Sequence, residues 1–349
     1  MIDPLPEAPP LRVIQVGCGQ MGRGWIEAVK KVPEVELVGV VDVSPPTADA
    51  AAVAAGLPST AVYDNLAVAV RQTGATAVFD VTVPGAHEGV VTEALSLGCH
   101  VLGEKPMSES LDAARRMVAA AATAGRTYAV VQNYRYTSGI RTLQRLLVGG
   151  GIGPVQEVHA DFFIGPRFGG FRDEMAHPLL LDMAIHTFDA ARFLSGADPV
   201  SVYCHGFNPA RSWYKGDASA VAIFEMTGGL VFSYRGSWCA DGLATNWGGS
   251  WRVVGGAGTA TWDGGDAVAA AALVPDGPPK FLRDTAPVPI EAVPMMTLSG
   301  HAALIREFAD AVRDGRRPET DCTDNIKSLA MVFAAVESAR TGAKVRIDR

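Results

Sequence analysis

Three polar residues stand in an otherwise apolar run: Asp182, His186 and Asp189, within LLLDMAIHTFDAARFL from Leu179 to Leu194. At helical spacing they fall at i, i+4 and i+7 and share one face. Leu180, Leu181, Met183, Ala184, Ile185, Phe188 and Phe193 fill nearly every other direction, which is the pattern of a buried helix. Pro178 suits its first turn and Gly196 its C-cap. Burying charge is costly unless it is paired, so the stripe either closes on itself as a structural network or lines a wet cleft. A carboxylate beside an imidazole can orient it and raise its pKa, which makes His186 a candidate proton acceptor. The competing reading is a satisfied Asp–His pair in a core. Asp189, at the far end, is expected to be structural support. His177, just upstream, fits a pocket role and a contact at the helix N-terminus equally well.

A second constellation opens the chain. Leu11 to Val16 reads as a strand, followed by Gly17-Cys18-Gly19-Gln20-Met21-Gly22 and a helical run, and then by a strand from Val35 that ends at Asp42. This is G-x-G-x-x-G between strand and helix, with an acid twenty residues after the last glycine. The first glycine permits a tight turn, the second a close approach of a pyrophosphate, and the third close helix–strand packing. The helix N-terminus offers unpaired N–H groups to the anion, and Asp42 can accept both ribose hydroxyls. A chance glycine-rich turn would not bring all these parts in register. No arginine follows Asp42 to take a 2′-phosphate, so NAD is expected, with NADP as the possible alternative.

Strands and helices keep alternating. Ala77 to Val83 is followed by helix His87 to Leu97, and Cys99 to Gly103 by a helix from Ser108 (its expected N-cap) to Ala124. Thr127 to Gln132 closes the series. Such alternation implies a parallel sheet covered on both faces, with ligands beyond the strands' carboxyl ends. Thr82 and Pro84, Glu104-Lys105-Pro106 and Asn133-Tyr134-Arg135 then share a rim with the glycines. Lys105 reads either as a surface lysine before a turn or, from its place at a strand end, as a functional cation. His87 is assigned to the cofactor rim, against the alternative of merely starting its helix.

The texture changes after the GGGIG run near Gly150. Strand candidates follow at Val155 to Ile164, Val200 to His205, Ser219 to Met226, Leu230 to Trp238, Ser250 to Gly255, Thr259 to Trp262 and Ala267 to Val274, joined by glycine turns. They predict an open, mostly antiparallel sheet. Its own helices are few, so one face is expected to need a partner, which favours self-association. Helices at His301 to Arg313 and Thr323 to Thr341 lead to a last strand at Lys344 to Ile347. The expected division is a Rossmann domain over 1–134, on which helix 323–341 can pack, and a substrate and oligomerisation domain over 135–349. Trp238, Trp251 and Trp262 lie in strands and read as core. Trp213 and Trp247 lie in loops and are better candidates for substrate-pocket walls, from the same or a neighbouring subunit.

The chain has 349 residues, 48% hydrophobic and 19% charged, enough for two cores. A net charge of −7 without a basic run argues against nucleic acid. The acidic, proline-rich start (a loose arm over 1–10) does not read as a signal peptide, and no uninterrupted apolar stretch reaches the length of a membrane span. Five cysteines, scattered without C-x-x-C spacing, give neither a zinc pattern nor a disulfide framework. A cytoplasmic protein with no metal and no membrane partner is expected.

These residues together resemble the Gfo/Idh/MocA family. The resemblance rests on Gly17-Cys18-Gly19-Gln20-Met21-Gly22, Asp42, Pro84 with His87, Glu104-Lys105-Pro106, Asn133-Tyr134-Arg135 and Asp182-x-x-x-His186. Thr323-Asp324-Asn325 through Ser338-x-x-x-Gly342 is similar to the family's closing helix, so the match spans nearly the whole chain. It implies an α/β architecture: an N-terminal Rossmann domain plus a C-terminal α/β domain whose large open, mostly antiparallel sheet mediates homodimers or homotetramers. It also implies NAD(P)-linked oxidation of a secondary hydroxyl on a sugar, sugar acid or cyclitol, with Lys105, Asp182 and His186 as the catalytic set. The implied cofactor contacts are Gly17, Gly19, Gln20, Met21, Gly22, Asp42, Thr82, Pro84, His87, Glu104, Lys105 and Asn133. The substrate contacts expected from the residues and the resemblance together are Lys105, Tyr134, Arg135, His177, Asp182, His186, Trp213 and Trp247. Where the family often carries a glycine cluster before the Asp, this chain has Ala176-His177-Pro178-Leu179-Leu180-Leu181, which reshapes the wall beside the substrate.

The residue chemistry agrees: His186 takes the hydroxyl proton, Lys105 bonds the same oxygen, and Asp182 orients His186 or a neighbouring hydroxyl. Two alternatives stand beside the dehydrogenase: a related enzyme that retains NAD through isomerisation or glycoside cleavage, and a dinucleotide-sensing regulator. The intact proton-transfer set argues against the regulator.

Overall fold

The computed structural model describes residues 9–275, 281–294 and 297–348. Of the arm expected over 1–10, all but Pro9 and Pro10 lie outside the described residues. The chain divides into two compact units, one from the N-terminus to Asn133 with Leu298–Ile326, the other from Tyr134 to Thr297 with the residues from Lys327 on. The first unit thus includes Leu298–Ile326, within the 135–349 range expected for the second domain, from which helix 323–341 is expected to be able to pack on the first.

In the first unit the order is β1 (Leu11–Val16), α1 (Gln20–Val29), β2 (Val35–Val41), α2 (Pro45–Ala55), β3 (Val62–Tyr63) and α3 (Leu66–Thr73). Then come β4 (Ala77–Asp80), α4 (Pro84–Ser96), β5 (His100–Gly103), α5 (Leu111–Ala124) and β6 (Tyr128–Val130). The strands lie in the order β3-β2-β1-β4-β5-β6, all parallel. The order reverses between β1 and β4, the topological switch point where such sheets leave a crevice for a ligand. Val13, Ile14, Val78, Phe79, Val101 and Leu102 are fully buried, as strands covered on both faces require. The N-cap of α5 is Ser110, whose hydroxyl accepts from the amide of Ala113 at 3.2 Å; Ser108, the expected cap, instead donates to the Ser110 carbonyl at 2.6 Å.

The second unit begins with α6 (Ser138–Val148), β7 (Val155–Phe163) and the short α7 (Phe171–Glu174). A π-helical turn at Leu179–Met183 leads into α8 (Ala184–Ser195). Next are β8 (Pro199–Phe207), β9 (Ser219–Met226), β10 (Val231–Ser237), β11 (Ser250–Gly255), β12 (Gly258–Trp262), β13 (Val268–Leu273) and β14 (Thr285–Pro287). Then α9 (Gly300–Asp314), in the first unit, precedes α10 (Cys322–Thr341) and β15 (Val345–Arg346). The sheet runs β14-β13-β12-β11-β7-β10-β9-β8-β15. Among the described residues only the β7–β10 pair of this sheet is parallel.

One face of that sheet is the core. Phe188 of α8 meets Phe224, Tyr234 and Phe232 at ring-centroid distances of 4.8, 5.2 and 6.0 Å, and these four aromatics fix α8 against β9 and β10. Trp251 and Trp262 stack at 6.1 Å and are buried with Trp238, as core. Along β9 the opposite face alternates outward with Val221, Ile223 and Glu225, the half-solvated pattern of an antiparallel sheet.

Candidate active site

The glycine turn of the first unit is built from backbone constraints. Gly17 has φ 91°, and a Cβ there would lie 2.4 Å from the Val81 carbonyl oxygen. A Cβ on Gly22 would lie 2.4 Å from the carbonyl oxygen of Gly17, so the turn and α1 can approach only without side chains. Buried Gln15 donates to the carbonyls of Gly17 and Gly22 at 3.0 Å each and pins the turn from below. A Cβ on Gly19 would meet nothing within 4 Å: the turn is open on that side. Gly19 also caps α1 without a side-chain hydrogen bond, and Gln20 and Met21 are exposed beside it. Unclaimed N–H groups at a ten-residue helix's N-terminus beside open space are what a pyrophosphate needs.

Asp42 completes that end. Its Oδ2 accepts from the Cys18 amide at 2.7 Å and its Oδ1 from the Ser44 amide at 2.8 Å, so both oxygens are oriented at the end of β2. Burial, with Asp42 nearby, pushes the Cys18 thiol up to about 12 and leaves it inert. These residues fit the adenosine and pyrophosphate of NAD. The cofactor supplies a hydride-accepting ring when bound.

The other rim residues separate by role. Asp80 is buried, accepts from the Thr82 hydroxyl at 2.6 Å and pairs with His87 Nδ1 at 2.7 Å. His87 is 1% exposed, so its ring braces the turn before α4 and does not reach the rim assigned to it. Glu104 is likewise internal: its Oε1 accepts from Trp25 Nε1 at 2.8 Å and lies 3.3 Å from His301 Nε2, while its Oε2 accepts from the Lys105 amide at 2.9 Å. Burial opposes its ionisation, yet the hydrogen bonds from His301 and Trp25 and the charge of Lys105 outweigh it and hold the pKa down to about 2. Glu104 thus anchors the Lys105 backbone to α1 and α9. Sequence reading missed Trp25, Gln15 and His301 because nothing near them in sequence announces a partner.

In the second unit the polar stripe of α8 resolves residue by residue. Asp189 is 1% exposed and accepts from Arg135 Nε and Nη2 at 2.6 and 2.7 Å and from the Ser328 hydroxyl at 2.8 Å. Arg135, 5% exposed, is therefore a structural counter-ion and not the expected substrate contact. Its neighbour Tyr134 stacks on His186, with ring centroids 4.5 Å apart and planes 24° apart. Burial raises the Tyr134 hydroxyl to about 12, so it stays protonated at neutral pH.

Asp182 sits in the π-helical turn, which the sequence pattern read as regular helix, and its Oδ2 accepts from Arg172 Nε at 2.7 Å. Each carboxylate of the stripe therefore has a guanidinium counter-ion. His177 Nδ1 lies 3.4 Å from Asp217 Oδ2, and Trp213 carries Arg167 over its ring at 3.9 Å. Trp247 is 48% exposed and edge-on to Trp238 at 5.8 Å. Asn133 and Lys105 are half-buried, as are Thr82 and Pro84. Arg172 went unnoticed in the sequence because α7 is only four residues long. Among the described residues no group of three or more His, Cys, Asp or Glu is placed to hold a metal, and no helix is long and apolar enough to cross a membrane.

Residues 11–132 match the profile of the Gfo/Idh/MocA oxidoreductase family with its NAD-binding Rossmann fold, and residues 140–261 match a Gfo/Idh/MocA C-terminal domain. The chain belongs to the Gfo/Idh/MocA family. It is an NAD-linked oxidoreductase. Among its relatives, the uncharacterized protein y4oX of Sinorhizobium fredii is 29% identical over 97% of this chain and 96% of its own. D-apiose dehydrogenase of Paraburkholderia graminis is 26% identical over 95% and 88%. Inositol 2-dehydrogenase of Ralstonia nicotianae is 30% identical over 55% of this chain and 56% of its own, about half of each. A crystal structure of an oxidoreductase from Agrobacterium radiobacter with NAD+, L-tartaric acid and magnesium superposes with a TM-score of 0.85 at 22% identity, covering 97% of this chain and 98% of that one. At that identity the likeness is one of fold.

Proposed function

We propose that the protein is a dehydrogenase that oxidises a secondary hydroxyl of a sugar, sugar acid or cyclitol with NAD. His186 removes the hydroxyl proton as hydride leaves the carbinol carbon, Lys105 donates a hydrogen bond to the same oxygen, and Asp182 orients the imidazole or a neighbouring hydroxyl. The observation that carries the reading is the setting of His186. Its ring is 6% exposed and flat against Tyr134, on a helix locked by Arg135–Asp189, so a proton acceptor has been given a fixed plane. The relatives that oxidise inositol and apiose support the substrate class. The oriented Asp42 carboxylate, which would repel a 2′-phosphate, supports NAD over NADP. A panel of sugars, sugar acids and cyclitols supplied with excess NAD tests the reading. Reduced nicotinamide accumulates with at least one member, whereas an isomerase or glycosidase-like enzyme that retains its cofactor gives product without it. The outer face of the nine-stranded sheet supports self-association as a homodimer or homotetramer. We also propose a cytoplasmic setting without nucleic-acid or membrane partners, a reading that the net charge of −7 fits.

A further inference from the structure

We propose that Arg172 is a specificity residue that selects a substrate bearing a carboxylate, an inference that rests on the dehydrogenase reading and narrows it to sugar acids. The guanidinium lies near two aromatic rings, with its central carbon 4.8 Å from the centroid of Phe171 and 5.3 Å from that of Phe168. Its Nε is spent on Asp182 Oδ2 at 2.7 Å. The two terminal amino groups make no hydrogen bond among the described residues, and the side chain remains 30% exposed. With aromatic rings beside it and Nε occupied, the N–H bonds of those terminal groups are what the residue still offers.

The balance of donors and acceptors sets the ligand class. A site for a neutral polyol needs both, since each hydroxyl donates and accepts. Here one oxygen of Asp182 is already spent on the guanidinium, and that guanidinium adds donors in excess of the acceptors beside it. An acceptor-only group with two oxygens, a carboxylate, matches the planar fork and its charge. Phe168 and Phe171, 57% and 65% exposed and separated in sequence by Gly169 and Gly170, flank a side chain that is itself 30% exposed. The sequence Phe168-Gly169-Gly170-Phe171-Arg172 thus reads as one element whose working end is the guanidinium.

The test compares acids with matched neutral sugars, for example D-glucuronate with D-glucose and D-gluconate with D-glucitol, in a panel of uronates and aldonates. For the turned-over pair, the wild type favours the acid by about 100-fold or more in kcat/KM, and Arg172→Leu lowers the acid-to-neutral ratio by about 100-fold, chiefly through KM. Arg172→Lys, which keeps the charge and loses the fork, recovers part of the ratio. A wild type that prefers the neutral member, or an Arg172→Leu loss equal for both, overturns the proposal while leaving the dehydrogenase reading intact. If no compound reduces NAD, the dehydrogenase reading is what fails. Calorimetry on the NAD-loaded protein then decides the specificity question separately: acids that bind the wild type at least tenfold more tightly than Arg172→Leu uphold it, and no such difference overturns it.

Discussion

The proposed base, His186, stands on a helix held by the buried Arg135–Asp189 pair, and its role is tested by removing the ring alone. Replacing it with Asn keeps a polar side chain of similar reach and removes the proton acceptor. The expected loss in kcat is about 10²–10⁴-fold with NAD affinity unchanged, read by steady-state kinetics and by cofactor titration; near-normal turnover would remove the residue from its role. At the other end, Asp42→Ala takes away the carboxylate held by the Cys18 and Ser44 amides. NAD binding weakens and NADP gains relative to it; an unchanged ratio of the two affinities would contradict the ribose assignment. Glu104 offers a pH test. Its folded pKa of about 2 lies below the ordinary value of about 4.3, so its stabilisation is present at neutral pH and is lost as pH falls through about 4 toward 2. The gap in melting temperature between wild type and Glu104→Gln is therefore widest near neutrality and closes in acid; a gap that is constant with pH would mean that the carboxylate charge contributes nothing.

Elements hold these residues by buried pairs more than by surface ones. Arg135–Asp189 is the clearest case, with side chains 6% and 2% exposed. Asp189→Ala leaves a buried guanidinium uncompensated, which costs about 3–5 kcal/mol, and it loosens the segment that stacks Tyr134 on His186. Denaturant unfolding should show that loss together with a lower kcat. The control is Asp112→Ala, from an Arg115–Asp112 pair on the surface of α5, which should move neither. This is also where the limits of sequence reading become physical. The glycine turn, the parallel sheet and the apolar helix carrying Asp182 and His186 were legible because period and spacing encode them locally. What each carboxylate pairs with was not, because Arg135 is 54 residues from Asp189 and His301 is 197 from Glu104. The π-helical turn at Asp182 was hidden for another reason: its residues are as apolar as those of the α-helix that follows, and nothing in their types marks an extra residue in the turn. His87 shows the same limit, because a histidine in the first turns of the helix after a strand looks the same in sequence whether it faces a ligand or a buried Asp80.

For the molecule as a whole, the open sheet is where the sequence argument for a partner meets an observed surface. Tyr203, Phe207, Val221, Ile223 and Val231 are 46%, 41%, 41%, 50% and 37% exposed, all on β8, β9 and β10. Tyr203 pairs in register with Ile223, and Val221 with Arg235. Next to them the face turns polar, in a depression of about 690 Å³ lined by His159, Asp161, Arg235 and Arg252 among others. An apolar half beside a half carrying both signs of charge suits a second copy of the same face, since a two-fold axis sets like against like in the apolar part and opposite charges against each other in the polar part. Light scattering of the purified protein at micromolar concentration should therefore give a dimer or a multiple of it. The double variant Phe207→Glu and Ile223→Glu should shift it toward monomer while leaving the inner core, and so the far-UV spectrum, intact. A wild type that is monomeric under those conditions would remove the sheet face as an interface and leave its apolar half without an explanation.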